Sequence, residues 1–87
     1  MFEWDENKNE SNYEKHSLRF EETKFVIPDN VYFMGVDNRN NYDEVRYNCY
    51  GYLFEREVII SYTIRNGKYR IISFRKCNKR EIKEYFK

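Results

Sequence analysis

The stretch EVIISYTIRNGKYRIISFR, residues 57–75, carries the clearest strand pattern of this chain. Apolar residues alternate in its first half, which places Val58, Ile60 and Tyr62 on one face of an extended strand. Asn66-Gly67 then gives the strongest short hairpin signal, because a type I′ turn needs positive φ at both central positions. The stretch therefore predicts two antiparallel strands, over residues 57–64 and 69–75, joined by a tight turn.

Two more strands are predicted before this hairpin, over residues 31–36 and 45–53. A polar segment at 37–41 separates them and is typical of a loop. Gly51, inside the second of these strands, indicates either a bulge or a close approach of another backbone segment.

Three helices complete the predicted fold. The first covers about residues 5–16 with Asp5 as its N-cap, a second short one covers residues 20–25, and Asn78 caps the last over residues 79–86. The element order is α-α-β-β-β-β-α, and its short connections favour an antiparallel meander. We expect a single α+β domain over residues 1–87, with a four-stranded antiparallel sheet, two N-terminal helices and one C-terminal helix. The helices are expected to cover one face of the sheet.

The amino-acid composition limits the classes of protein to which this chain can belong. Charged residues make up 36% of the chain, but 20% of it is Phe, Tyr or Trp, and these residues supply most of the burial that folding needs. No apolar run approaches the length of a membrane span or a signal peptide, so we expect a cytoplasmic protein without membrane contact. Cys49 and Cys77 lie too far apart for a zinc motif and are expected to be buried thiols; no metal or cofactor is expected.

Charge is distributed unevenly along the chain. Residues 1–44 hold 11 acidic and 5 basic residues, whereas residues 45–87 hold 4 acidic and 11 basic ones. This asymmetry points to an anionic partner for the basic half, of which nucleic acid is the commonest. Charge kept only for solubility is the alternative.

The strongest phosphate-binding candidate in the basic half is Arg75, because a guanidinium group makes paired hydrogen bonds and stays charged. Strict alternation would place Arg70 on the opposite face from Arg75 unless the strand twists or bulges. Lysines that protect a sheet edge or complement a helix end are the alternative interpretation. The residues expected to bind substrate around Arg75 are Arg70, Lys76, Lys79, Arg80 and Tyr85.

Glu44 and Arg46 are two residues apart at the start of a predicted strand and so are expected to share a face. Such a pair can be a surface ion pair of little energetic value. It can equally be a base beside a phosphate clamp.

Together these features resemble the BrnT family of bacterial type II toxins over nearly the whole chain, with residues 26–44 matching least. The residues that carry the resemblance are Phe2, Trp4, Asp5, Lys8, Asn12, Lys15, His16, Phe20, Glu21, Glu22 and Phe25, followed by Arg46, Gly51, Tyr62, Thr63, Arg70, Ile71, Ile72, Ser73, Arg75, Glu81 and Tyr85. The chain departs from the family pattern at Ser17, where glycine is usual, at Phe74, where alanine is usual, and at Asp43, where some members have lysine.

The resemblance implies a RelE-like ribonuclease toxin that cleaves RNA without metal and inhibits translation, with ribosome-associated mRNA as one possible substrate. It also implies a BrnA-like antitoxin partner, with operator DNA reached only through the toxin-antitoxin complex. By motif, the family's catalytic residues correspond to Glu44, Arg46 and Arg75. We take Glu44 as the base, the two arginines as the groups that hold the developing charge, and Tyr85 or Lys76 as the proton donor.

Two other functional classes stay open at this stage. One is a non-catalytic RNA-binding module that uses Tyr47, Tyr50 and Tyr52 as a stacking platform. The other is a protein-interaction module whose aromatic surface receives a partner. We interpret His16, at a helix end in the acidic half, as structural.

Overall fold

The computed structural model describes residues 1–38 and 43–87. Within them a five-stranded sheet combines with helices in an α+β fold, and the strands are β1 (Phe2–Glu3), β2 (Val31–Val36), β3 (Tyr47–Leu53), β4 (Arg56–Arg65) and β5 (Lys68–Lys76). The helices are α1 (Glu6–His16), a 3₁₀ helix (Phe20–Phe25) and α2 (Lys79–Tyr85). The strands lie in the spatial order β1-β5-β4-β3-β2, and the predicted polar loop at 37–41 falls largely outside the described residues.

The expected four-stranded antiparallel sheet is wrong in one respect, because β1 adds a fifth strand that runs parallel to β5. Phe2 lies opposite Tyr69 and Glu3 opposite Arg70, and the Tyr69 N–H donates to the Met1 carbonyl at 2.8 Å. Two residues are too few to show a periodic pattern, so the sequence gives no sign of this strand. The sheet is therefore mixed, and β1 covers only the first part of the outer edge of β5.

The hairpin of β4 and β5 is confirmed. Val58, Ile60 and Tyr62 are buried in the main core, as the alternation predicts. Asn66 and Gly67 have φ values of 54° and 74°, which are the positive values that a type I′ turn needs.

A bulge interrupts β5. Ser61 and Tyr62 are consecutive in β4, yet their partners in β5 are Ser73 and Ile71. Ile72 is therefore an extra residue without a partner in the β4–β5 ladder, and the alternation of side chains along β5 is reset at this point.

The bulge places two arginines on the same face. Residues directly opposite each other in an antiparallel pair point to the same face. Arg70 lies opposite Thr63 and Arg75 opposite Ile59. Thr63 and Ile59 are four residues apart in an uninterrupted strand and share a face, so Arg70 and Arg75 share it too.

Helices pack against both faces of the sheet, where we expected them on one. The 3₁₀ helix and the segments that flank it close the main core, which consists of Leu18, Phe20, Val26, Ile27, Cys49, Leu53, Val58, Ile60, Tyr62, Ile71 and Phe74. On the opposite face, α2 places Ile82, Tyr85 and Phe86 against a smaller cluster of Tyr50, Ile59 and Cys77.

Helix α1 lies along the outer edge of β5 and is fixed there by Asn12, which is buried. The Asn12 Oδ1 accepts the Phe74 N–H at 3.1 Å, and its Nδ2 donates to the carbonyls of Phe74 (2.7 Å) and Leu18 (3.0 Å). The amide side chain thus makes the two hydrogen bonds that a neighbouring strand would make to Phe74. An edge that would otherwise be open is closed at this residue.

Both predicted caps are confirmed, and two departures from the family pattern find explanations. Asp5 caps α1 by accepting from the backbone N–H groups of its first turn, and Asn78 caps α2 in the same way. Ser17 ends α1 in the left-handed conformation, with φ of 59°, where glycine is favoured. Phe74 faces the main core and is fully buried.

Gly51 marks a close backbone approach, as one of its two interpretations predicts. A Cβ atom at this position would lie 2.5 Å from the Asn30 carbonyl oxygen and 2.8 Å from Val26 Cγ1. Asn30 cannot retreat cheaply, because its carbonyl accepts the Tyr52 N–H at 2.9 Å.

We predict that Gly51→Ala lowers the free energy of unfolding by about 3 kcal/mol, the upper range for overpacking, because backbone has to move. Gly35→Ala is the matched control, since its Cβ would meet only the Phe33 ring at 3.4 Å and should cost less than about 1 kcal/mol. Urea titrations of both variants measure the difference. Equal losses in the two variants would show that the contact at Gly51 is not tight.

Candidate functional site

The sheet face that carries Arg70, Ser73 and Arg75, here called the arginine face, combines guanidinium groups with a row of small polar residues. Ser73 lies opposite Ser61, which in turn lies opposite Asn48. The Ser61 hydroxyl donates to Asn48 Oδ1 at 2.8 Å. Hydroxyl and amide groups therefore cross three strands between the levels of Arg70 and Arg75.

Arg75 is held by Glu81 of α2. Its two Nη atoms donate to the two carboxylate oxygens of Glu81, both at 2.8 Å, and Nη1 also reaches the Lys76 carbonyl at 3.3 Å. The hydrogen bond that Arg75 donates to Glu81 raises the pKa of Arg75, so the guanidinium stays charged. Glu81 Oε1 also accepts the Asn78 N–H at 2.9 Å, so the carboxylate that orients Arg75 is part of the cap of α2.

Arg46 lies one residue before β3 and belongs to the arginine face. The Asp37 N–H donates to the Arg46 carbonyl at 2.8 Å, which continues the pairing of β2 with β3 past the end of the strand. The alternation of β3 therefore extends to Arg46 and places its side chain on the same side of the sheet as Asn48.

Arg46 and Arg70 lie at the same level of the sheet. Tyr47 pairs with Tyr62, so Arg46 falls beside Thr63, whose other neighbour is Arg70. Two strand spacings separate Arg46 from Arg70, or about 10 Å between backbones. The structure thus brings together three of the predicted site residues, two at one level and Arg75 further along β5.

Glu44 lies at the hairpin end of the sheet, away from Arg75. Its carboxylate oxygens are 2.9 and 3.2 Å from Arg65 Nη2, in an ion pair whose side chains are 38% and 45% exposed. Arg65 is at the hairpin end of β4, about 20 Å along the strand from Ile59, the residue opposite Arg75. Glu44 and Arg75 do not meet in one cleft in this structure, so the catalytic role of Glu44 stays a prediction.

The basic residues predicted to surround Arg75 are dispersed. Lys76 lies opposite Val58 and so points to the main-core side, away from Arg75. Lys79 and Arg80 are exposed in the first turn of α2. Arg70 is on the arginine face and pairs with Glu3 at 3.2 Å.

Tyr85 belongs to an aromatic stack on the arginine face. Its ring lies 4.1 Å from that of Tyr50, nearly parallel at 16°, and 5.9 Å from that of Phe33. Beside this stack is a cavity of about 120 Å³. The residues that line the cavity are Val36, Asp37, Asn38, Asn48, Tyr50 and Tyr85.

The stacking platform expected from three tyrosines of β3 does not form. Tyr47 stacks on Tyr62 with ring centroids 5.4 Å apart and packs against the main core. Tyr50 and Tyr52 belong to the opposite face, and Tyr50 is buried under α2. The exposed aromatic surface on the arginine face is instead provided by Tyr32 and Phe33 of β2.

A groove between α1 and β5, here called the α1 groove, was not predicted from the sequence. It encloses about 200 Å³ and is lined by Lys8, Ser11, Asn12, Lys15, His16, Ile72 and Ser73. A signal was present, because Lys8, Asn12 and Lys15 recur at spacings of four and three residues, as residues on one side of a helix do. Burial lowers the pKa of His16, and Arg75 and then Lys15 lower it further, so the neutral imidazole is favoured.

We predict that His16 contributes to a loss of stability in mild acid. Its pKa is lower in the folded protein than its ordinary value of 6.5, so the unfolded chain takes up the proton first as the pH falls. His16→Gln should therefore lose less free energy of unfolding than the wild type between pH 7 and pH 5. Thermal melts across this range measure the effect.

His16 is the one histidine of the chain, and the wild type and the variant contain the same carboxylates. A difference between their pH profiles therefore reports on His16. Identical pH profiles would contradict the prediction.

The described residues give no support for a reactive cysteine or a metal site. Cys49 and Cys77 are free and buried, as expected, and burial raises the pKa of both thiols to about 12. Within residues 1–38 and 43–87, no three His, Cys, Asp or Glu side chains are grouped so that they could hold a metal ion. None of the helices in these ranges is long and apolar enough to cross a membrane.

Three guanidinium groups on one face, with hydroxyl and amide groups between them, suit a ligand that carries phosphate. The fold is that of a small α+β protein with a mixed five-stranded sheet.

Comparison with protein families extends this conclusion. Residues 4–81 match the model of a family described as the ribonuclease toxin BrnT of type II toxin-antitoxin systems, and the chain belongs to this family. Membership implies RNA as substrate and an antitoxin protein as partner. No curated protein matches the chain.

Proposed function

We propose that this protein cleaves RNA by transesterification on the arginine face, without a metal ion, and thereby inhibits translation. The observation that carries this proposal is the bulge at Ile72, which turns Arg75 to the same face as Arg70. Arg46 joins them from the start of β3, two strand spacings away. Phosphate chemistry needs several cations on one surface, and the β5 sequence alone would have separated its two arginines.

The proposed reaction begins with attack of the ribose 2′-oxygen on the adjacent phosphorus. The new P–O2′ bond forms while the P–O5′ bond breaks, one proton leaves the 2′-hydroxyl and one is delivered to the 5′-oxygen. Arg75 and Arg46 hold the additional negative charge of the five-coordinate intermediate. Loss of one such donor typically costs about 3 to 4 kcal/mol of transition-state stabilisation.

In the proposed mechanism, Glu81 holds the Arg75 guanidinium in position before RNA binds. Its carboxylate occupies both Nη atoms of the guanidinium, so a substrate phosphate has to share or replace these contacts. A planar fork held in this way is already oriented for a bidentate oxyanion. In the proposed mechanism, Glu81 acts as a positioning residue and as a stand-in for the phosphate.

Two residues are candidates for the base. Glu44 fits the family motif but is paired with Arg65, so substrate binding would have to separate the two. His16 lies in the α1 groove, and its lowered pKa keeps it neutral and able to accept a proton at pH 7.

We predict that Arg75→Ala abolishes growth arrest and lowers RNA cleavage at least a hundredfold, because the charge of the intermediate loses its donor. Glu81→Gln is the matched control, since it disturbs the same contact with α2 but keeps the guanidinium. It should lose clearly less activity than Arg75→Ala, because the guanidinium charge remains and only its orientation is loosened. Cleavage assays with purified proteins, with circular dichroism to check folding, measure both.

If Glu81→Gln lost as much activity as Arg75→Ala, the effect would come from loosening of α2 and not from catalysis.

We predict that Glu44→Gln and His16→Gln separate the two candidate bases. Removing the base should cost about a hundredfold or more in rate. If His16 is the base, His16→Gln should also remove the acidic limb of the pH–rate profile between pH 5 and pH 8, which a merely structural change would leave in place. The rates of both variants at pH 7, together with this profile, identify the base, and two unchanged rates would exclude both residues.

The partner is proposed to be a BrnA-like antitoxin that neutralises the toxin and carries any contact with operator DNA. Inducing the chain in a bacterium should stop growth, and co-expression of the adjacent antitoxin gene should reverse the arrest. Cleavage assays with and without ribosomes establish whether the substrate is ribosome-associated mRNA. RNA that is bound but left intact under both conditions would favour a non-catalytic binding module.

A further inference from the structure

We propose that the α1 groove binds the phosphate backbone of the RNA next to the phosphate held by Arg75, with Lys8 and Lys15 as the phosphate ligands. This inference rests on the proposed function and assigns a second contact surface to the same substrate. It gives the N-terminal helix a part in substrate binding, although the basic residues of the chain are concentrated in its other half.

The position of the groove follows from how the outer edge of β5 is covered. β1 pairs with Tyr69 and Arg70 only. Asn12 binds the backbone of Phe74. Between these two covers lies the bulge at Ile72, and the α1 groove lies beside it.

The lining of the groove suits an anion. Lys8, Lys15 and His16 contribute nitrogen groups, while Ser11 and Ser73 contribute hydroxyl donors. None of the residues that line it among the described ones carries a carboxylate. Both lysines are exposed, so their ammonium groups need little desolvation to meet a phosphate.

Asn12 fixes the two lysines relative to the sheet. Lys8 lies four residues before Asn12 and Lys15 three residues after it, so the three side chains are on the same side of α1. Because the amide of Asn12 is hydrogen-bonded to Phe74, this side of the helix faces β5. The lysines therefore lie on either side of an anchored point.

The groove continues into the arginine face. Ser73 lines the groove and also belongs to the polar row that crosses the sheet. Arg75 is two residues further along β5, on the same face as Ser73. An RNA strand with one phosphate on Arg75 can thus follow Ser73 towards α1.

The test measures the salt dependence of binding to a single-stranded RNA that carries 2′-O-methyl groups and cannot be cleaved. Kd is determined by fluorescence anisotropy between 50 and 300 mM salt for the full-length wild type and three double variants. Each phosphate contact in a single strand contributes about 0.7 to the slope of log K against log salt. K8Q/K15Q should therefore lower the slope by about 1.4 and the affinity at low salt by about tenfold.

K24Q/K68Q is the matched control, because it removes the same charge from two exposed lysines outside the groove. It should change the slope by less than one contact. K8R/K15R keeps both charges and should restore the slope of the wild type, which distinguishes a charge effect from a folding defect.

Equal slopes for K8Q/K15Q and K24Q/K68Q would overturn the groove as a binding surface while leaving the proposed function intact. A wild-type protein that neither binds nor cleaves RNA would overturn the proposed function, and the groove with it.

Discussion

The extra residue in β5 is the constraint on which the rest of the structure depends. Ile71 and Phe74 both face the main core although three positions separate them. Strict alternation would send Arg75, and not Phe74, into that core beside Ile71. A buried guanidinium without a partner is far more costly than one unpaired residue in a ladder, so the strand bulges at Ile72. The same reset keeps Phe74 in the main core and places Arg75 on the opposite face.

Local signals predicted most of the elements, because their causes lie within a few residues. The Asn66-Gly67 turn and the Asp5 and Asn78 caps are decided by φ preferences and nearby backbone N–H groups. The parallel strand β1 could not be predicted, since its partner is more than sixty residues away and it has no pattern of its own. The same holds for the choice of face by α2, which depends on tertiary contacts.

In the candidate site too, some features follow from the local sequence and others depend on tertiary contacts. Residue types identified the arginines, but their partners depend on distances between elements. Glu44 was expected beside Arg46 and Arg75 and instead binds Arg65 of the adjacent strand, at the hairpin end and away from Arg75. Glu81 was expected only as a family residue and turned out to hold the Arg75 guanidinium. The sequence identifies the residue types of a site. Which of its charged residues pair with each other depends on the register of the sheet.

The two edges of the sheet differ in how far other parts of the chain cover them. Asn12 and β1 cover much of β5, whereas β2 lies at the other end of the strand order with no charged residue from Val31 to Val36. Its side chains of Tyr32, Phe33, Met34 and Val36 are each at least 40% exposed. An exposed apolar edge strand of this kind can pair with a strand of another molecule. Recombinant preparations of the isolated chain will consequently be prone to aggregate through this strand, and a lysine placed there should improve the yield of monomer.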